Sequence, residues 1–188
     1  MFEFAQKMLL LKQFSIEKGK IELLGQRVII VPIKLISLLI DLYYTDKKLE
    51  KDIYMVMRES VKDYSLKAKN TFKFKPETLL SMLMDLTRLN GYGDIYLDKI
   101  SYLEKKALFK VEGLPSNLLN NKYKNFMGDS YWAGITAGAL TIIFDDPEIE
   151  CLEIKCVLNG DKFCSFVAGT KHFLKENYGQ YYTQKFEV

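Results

Sequence analysis

The sequence predicts a single α+β domain in which an antiparallel sheet packs against helices. Three features point there. Helix-type and strand-type segments come in blocks, without the repeated strand–helix–strand alternation of a parallel sheet. A strand–turn–strand signal centred on Asn159-Gly160 calls for an antiparallel pair. No internal repeat, low-complexity tract or charged linker divides the 188 residues, so one domain over 1–188 is expected, large enough to bury a core without staples.

Residues 14–31 alternate in two short pieces, FSIEKGK and KIELLGQRVIIV, with turns at Gly19 and Gly25. Pro32 ends that region, and 33–44 has the apolar density and spacing of a buried core helix. The clearest amphipathic helix is 49–69, where Ile53, Val56, Met57, Ser60, Val61, Tyr64 and Ala68 recur at spacings of three and four. A further helix starts at Pro76, a residue favoured in the first turn, and stops before Gly91, with Met82, Leu83, Leu86 and Leu89 as its stripe. DIYLDKISYLE and KALFKVEGL read as two strands, and the Asn-rich stretch 114–128 as a surface loop. From Asp129 the chain is helical again through YWAGITAGALTIIF. Strands at 149–158 and 161–168 then pair across Asn159-Gly160, and the tail holds a short helix at 171–178 and a last strand, YYTQKFEV.

Composition narrows the function. Hydrophobic content of 48% and charged content of 27% are ordinary for a folded protein. A net charge of +3 is too small and too evenly spread for nucleic-acid binding, and doublets such as Lys47-Lys48 and Lys105-Lys106 suit solvated surface. The opening MFEFAQKMLLLKQF carries Glu3 and Lys7 and has no small-residue cleavage site, unlike a signal peptide. The most apolar run, 28–44, contains Pro32, Lys34 and Asp41 and is too short for a membrane span. A cytoplasmic protein with reduced thiols is expected, and an odd cysteine count argues against a purely structural disulfide set. The single histidine, His172, has no activated nucleophile around it, and no phosphate loop, dinucleotide fingerprint or spaced acid/base pair appears. Binding is therefore expected ahead of catalysis.

All three cysteines lie in residues 151–164, CLEIKCVLNGDKFC. Glu153, Cys156 and Cys164 form E-x2-C-x7-C around the turn, and thiolates with a carboxylate suit tetrahedral zinc. Cys156 and Cys164 are equidistant from Gly160, so a bulged or odd-length turn puts them on one face, whereas a strict two-residue turn puts them on opposite faces. Glu153 has the wrong parity for Cys156 and needs a bulge between them. The competing reading is three small buried hydrophobes on a hairpin.

The segment 132–167, WAGITAGALTIIFDDPEIECLEIKCVLNGDKFCSFV, resembles the core motif of the 4-vinyl reductase domain family. Gly134, Ala137 and Gly138 match its helix; Glu153, Cys156, Gly160, Asp161, Cys164 and Phe166 match its hairpin, and the motif core spans 129–168. The resemblance implies a fold like the vesicle-tethering TRAPP subunits, an apolar pocket, and a homodimer. It also implies a zinc ion held through Cys, Glu, Cys and Cys, as in bacterial phenol-sensing activators. Aligning the helix glycines puts Asp129 where that family has its remaining cysteine. Asp129 is thus either a ligand or a plain helix N-cap, and Cys151 is either an alternative ligand or a core cysteine. A closed four-ligand shell implies structural zinc.

For the ligand, Trp132, Gly134 and Gly138 on the helix, with Tyr96 and Phe109 on the strands, are the candidate contacts; Tyr92 and Tyr102 also lie on this stretch, and core filling is the alternative for all of them. The expected function is a sensor or carrier domain for an apolar or aromatic small molecule, with output through an unknown protein partner. An accessory role in tetrapyrrole or related cofactor metabolism, and a ligand-free interaction module, are the alternatives.

Overall fold

The structure, a computed structural model, describes residues 14–23, 26–119, 123 and 126–187. The expectations for the first 13 residues and for a turn at Gly25 lie outside the described residues.

Strands β1 (Phe14–Glu17), β2 (Lys20–Leu23) and β3 (Gln26–Val28) form a small antiparallel meander. Its first turn runs through Lys18 (φ 49°) and Gly19 (φ 75°), the pair of positive φ angles that a two-residue hairpin loop needs. Next come three helices: α1 (Ile33–Thr45), α2 (Lys47–Phe72) and α3 (Pro76–Leu89). Asp46 separates the first two, because its carboxylate accepts the Leu49 N–H at 3.0 Å and caps α2. Pro76 opens α3 as the sequence predicts.

The main sheet comprises β4 (Asp94–Ser101), β5 (Lys106–Glu112), β6 (Ile149–Lys155) and β7 (Cys164–Thr170), antiparallel in the order β4-β5-β7-β6. One face carries α4 (Ser130–Ile143), which is buried nearly all round between the sheet and α2. The other face carries α5 (Lys171–Phe186), whose Leu174 and Tyr182 pack on Leu152 and Val167. The result is an α+β fold with an antiparallel core.

The glycines of α4 explain its tight seat. A Cβ on Gly134 would stand 2.4 Å from the Tyr54 carbonyl oxygen, and one on Gly138 would stand 2.2 Å from that of Arg58. Spaced one turn apart, they let the backbones of α2 and α4 touch. The contact is helix on helix rather than helix on sheet. Arg58 ties the same region to β6 by donating to the carbonyls of Pro147 at 2.8 Å and Ile149 at 3.2 Å.

Four local expectations are corrected. The cysteine hairpin does not turn tightly at Asn159-Gly160: its strands end at Lys155 and restart at Cys164, with a 3₁₀ turn at Val157–Asn159 and Gly160 at φ 90° between them. The tail has no last strand, because α5 bends at Tyr178 (φ −137°) and then continues to Phe186. Helix α1 is not buried all round: Ile40 and Tyr43 face the core, while Leu35, Leu38 and Leu42 are exposed. Residues 114–128 are not simply a surface loop, since Pro115–Leu119 forms a 3₁₀ turn and Leu114, Ser116, Tyr123 and Phe126 are buried.

Candidate metal centre and ligand cavity

Asp129, Glu153, Cys156 and Cys164 converge, all buried, with one potential ligand atom from each lying within 4.8 Å of the others. Three local features bring them together. The pairing of β6 with β7 shifts register between Glu153 and Lys155, the irregularity that turns Glu153 to the side of Cys156. The 3₁₀ turn, closed by the Cys156 N–H donating to Asp161 Oδ2 at 2.9 Å, brings Cys156 back towards Cys164. Asp129 stands at the N-cap of α4, but its side chain does not cap that helix. Its Oδ2 accepts from the Cys164 thiol at 3.2 Å and the Cys156 thiol at 3.8 Å, which holds the carboxylate against both sulfurs.

The electrostatics fit a cation. Burial first, then Cys156 and Asp129, pushes Glu153 well above the usual carboxylate range, and burial likewise raises Asp129. Within the thiol pair, hydrogen bonding with Cys164 holds Cys156 below its ordinary value, while that bond and burial push Cys164 up. Each carboxylate also keeps one buried oxygen, Asp129 Oδ1 and Glu153 Oε1, without a hydrogen-bond partner among the described residues. Unpaired buried carboxylate oxygens are costly in a closed protein interior, and a metal ion would satisfy both. The donor set of two thiolates and two carboxylates therefore fits a divalent metal.

Cys151 lies outside this group. Its backbone N–H donates to the Tyr54 hydroxyl at 3.2 Å, and burial raises its thiol above the ordinary range. At the outer side of the centre, the Lys185 ammonium of α5 donates to the Ser130 hydroxyl at 2.7 Å, and Ser130 in turn donates to Glu50. This joins the last turn of α5 to the first turn of α4.

A separate cavity of about 240 Å³ lies among α2, α3, α4 and the main sheet. Met57, Ser60, Val61 and Tyr64 come from the predicted stripe of α2, and Trp132, Thr136 and Ala139 from α4. Phe109 and Ile95 supply the sheet side, while Leu23 and Val28 reach in from the small meander. No charged side chain lines it among the described residues. The hydroxyls of Thr87 and Thr136 donate to carbonyls within their own helices. Tyr64 Oη and Trp132 Nε1, by contrast, are buried and lack a partner among the described residues.

Of the candidate ligand contacts, Trp132 and Phe109 line this cavity. Tyr96 does not: it is 46% exposed and donates to Asp94 at 2.7 Å. Gly134 and Gly138 are closed off against α2 and face no cavity. Tyr92 lines the space, whereas Tyr102 packs on Phe144. His172 is a surface residue beside Glu176.

No protein-family model matches the sequence, and no curated protein matches it. Solved structures do. The phenol-responsive sensory domain of the transcription activator PoxR, solved with phenol, superposes with a TM-score of 0.75 at 16% identity, over 97% of this chain and 96% of that one. A vinyl-4-reductase family protein from Methanocaldococcus jannaschii has the same fold with a TM-score of 0.51 at 19% identity, over 89% of this chain and 90% of that one. The fold is of the 4-vinyl reductase type. A trafficking protein particle complex subunit 3 from Naegleria fowleri, covalently bound to palmitic acid, shares it with a TM-score of 0.53 at 12% identity, over 74% of this chain and 92% of that one. At these identities the 4-vinyl reductase likeness is one of architecture, and any site chemistry rests on the residues of the candidate metal centre and the cavity.

Proposed function

We propose that this chain is a small-molecule sensor or carrier domain whose ligand occupies the cavity between α2, α3 and α4. One observation carries the reading: an uncharged, mostly apolar cavity lined by Trp132 and Tyr64, whose buried Nε1 and Oη lack a partner among the described residues. Such a lining selects a neutral, mostly apolar molecule with one oxygen that accepts from the indole N–H and pairs with the phenol. A volume of about 240 Å³ exceeds the ~150 Å³ that suffices for benzene. A substituted or fused ring therefore fills it better than a bare one. The PoxR sensory domain, whose solved structure holds phenol, supports the aromatic class. None of the three cysteines lines the cavity, so an acyl chain inside it has no thiol to bond.

Zinc at Asp129, Glu153, Cys156 and Cys164 completes the proposal as a structural ion. It would tie the β6–β7 connection to the start of α4, the helix that carries Trp132, Thr136 and Ala139 of the cavity. Ligand occupancy and the metal centre then share one rigid element, and output passes to a protein partner. Self-association is supported by the exposed apolar side of α1, where Leu35, Leu38 and Leu42 lie one to two turns apart. Among the described residues no helix is long and apolar enough to cross a membrane.

Native mass spectrometry with elemental analysis, on protein purified without added metal, tests this reading. One zinc per chain, lost in a Cys156→Ser, Cys164→Ser double variant, together with an organic mass that leaves on denaturation, is the expected result. A folded protein that carries neither and acquires neither on incubation with zinc and neutral phenols refutes it.

A further inference from the structure

The Asp129 carboxylate is the unusual member of the metal group, and its surroundings are specific to it. One of its oxygens, Oδ2, accepts from the Ser116 hydroxyl at 2.8 Å as well as from both thiols. Ser116 is fully buried, in a 3₁₀ turn 13 residues before Asp129 and adjacent to it in space. That turn is braced from α1 by Ser37, which reaches the Pro115 carbonyl at 3.5 Å, while Tyr43 of the same helix donates to the carbonyl of Gly128, the residue before Asp129. The Asp129 backbone N–H in turn donates to Glu153 Oε2 at 2.9 Å. Each carboxylate thus has one oxygen fixed by a protein donor and the other, Oδ1 or Oε1, without a partner among the described residues. A hydroxyl buried to serve one carboxylate oxygen sets the rotation of that carboxylate, as outer-shell donors do for metal ligands generally.

We propose that Ser116 is the positioning residue of the metal centre: by holding Asp129 Oδ2 it sets the rotation of the carboxylate and leaves Oδ1 as the oxygen ligand. This rests on the metal reading given under the proposed function. It makes Asp129 a purpose-held donor in a mixed shell of two oxygens and two sulfurs. It also makes Ser116 useful only while residue 129 is a carboxylate, since a thiolate ligand presents one donor atom and needs no rotation fixed.

The test is a double-mutant comparison of zinc affinity, by competition with a chromophoric chelator, on the full chain. Ser116→Ala in the native background should weaken zinc by about 10–100-fold. In an Asp129→Cys background the same change should matter by no more than about twofold, the scatter of uncoupled sites. Ser116→Thr, which keeps the hydroxyl, should stay near the native affinity, and cobalt(II) absorption should show the native thiolate bands in the native and Thr proteins alike. An equal loss in both backgrounds, or a Thr variant as weak as the Ala variant, assigns Ser116 to packing alone and overturns the proposal. A native protein that binds no zinc removes the metal reading itself, a different failure that the unsubstituted chain reports alone.

Discussion

Adding one methyl group at Gly138 tests how closely the fold is built around α4. The backbones of α2 and α4 meet there, and an alanine Cβ would stand 2.2 Å from the Arg58 carbonyl oxygen and 3.0 Å from the Lys62 nitrogen. Ordinary contact begins at 3.4 Å, so the helices must part by about 1.2 Å at this point. The obstructing atoms are backbone and cannot rotate aside. Overpacking of this kind costs about 1–3 kcal/mol, and the helix preference of alanine over glycine returns up to about 1 kcal/mol. Because the obstruction is backbone, the upper half of that cost, about 2–3 kcal/mol, applies, and a net loss of about 1–2 kcal/mol is expected from urea unfolding, with an unchanged denaturant slope. The matched control is Gly179→Ala in α5, where nothing lies within 4 Å and alanine should be neutral or stabilising. The loss should also reach the cavity, because Ala139 and Thr136 flank Gly138 on the same helix. Unchanged stability in Gly138→Ala would refute the claim that glycine is required for this helix contact.

The site yields further expected outcomes. Trp132→Phe removes the unpaired indole N–H while keeping an aromatic ring, and should weaken a neutral hydroxyl-bearing ligand by about 0.5–1.5 kcal/mol, roughly two- to tenfold, in calorimetric titration. For pH, burial raises Glu153 and Asp129 above their ordinary values of 4.5 and 3.8. The folded metal-free protein therefore holds more protons than the unfolded chain between each ordinary and raised value, so these groups make its stability fall as pH rises through that window. Bound metal displaces those protons and reverses the sign. The melting-temperature gap between zinc-loaded and metal-free protein should widen from about pH 5 to pH 8, and a narrowing gap contradicts the assignment. Leu38→Glu places a charge at the centre of the exposed apolar side of α1 and should shift sedimentation from dimer to monomer without loss of helix signal. A native chain already monomeric at high concentration removes the self-association reading.

Much of the fold and of the candidate site was legible in the sequence because the informative residues are local. Helices α2 and α3 can be read from their three-four spacing, from Pro76 and from the glycines beyond α3. Glu153, Cys156 and Cys164 fall within one short segment, but spacing alone left them equally readable as buried hydrophobes, and the resemblance singled them out; the bulge that Glu153 needs corresponds to the register shift at Glu153/Lys155. Other features depend on contacts distant in sequence. Ser116 sits in a stretch that reads as a loop, and only the fold brings it against Asp129. Tyr64 belongs to an amphipathic stripe that signals core, and nothing local shows that its hydroxyl lacks a partner. Gly134 and Gly138 signal close approach without saying of what, and α2 rather than a ligand fills the place. The missed second half of α5 has a local cause. The bend at Tyr178 breaks the helical periodicity, and the YYTQKF segment beyond it has the residue types of a strand until the packing of Tyr182 on Leu152 and Val167 is seen.

The most direct test of the central claim is calorimetric titration of the native protein and of Ala139→Phe with neutral alkylphenols. Ala139 lines the cavity, and a phenyl ring there takes up a large part of its 240 Å³. Saturable binding with a negative heat-capacity change in the native protein, lost in a folded Ala139→Phe variant, is the result expected of an apolar ligand in this cavity. Binding that survives the filled cavity, or no binding in metal-replete native protein, contradicts it.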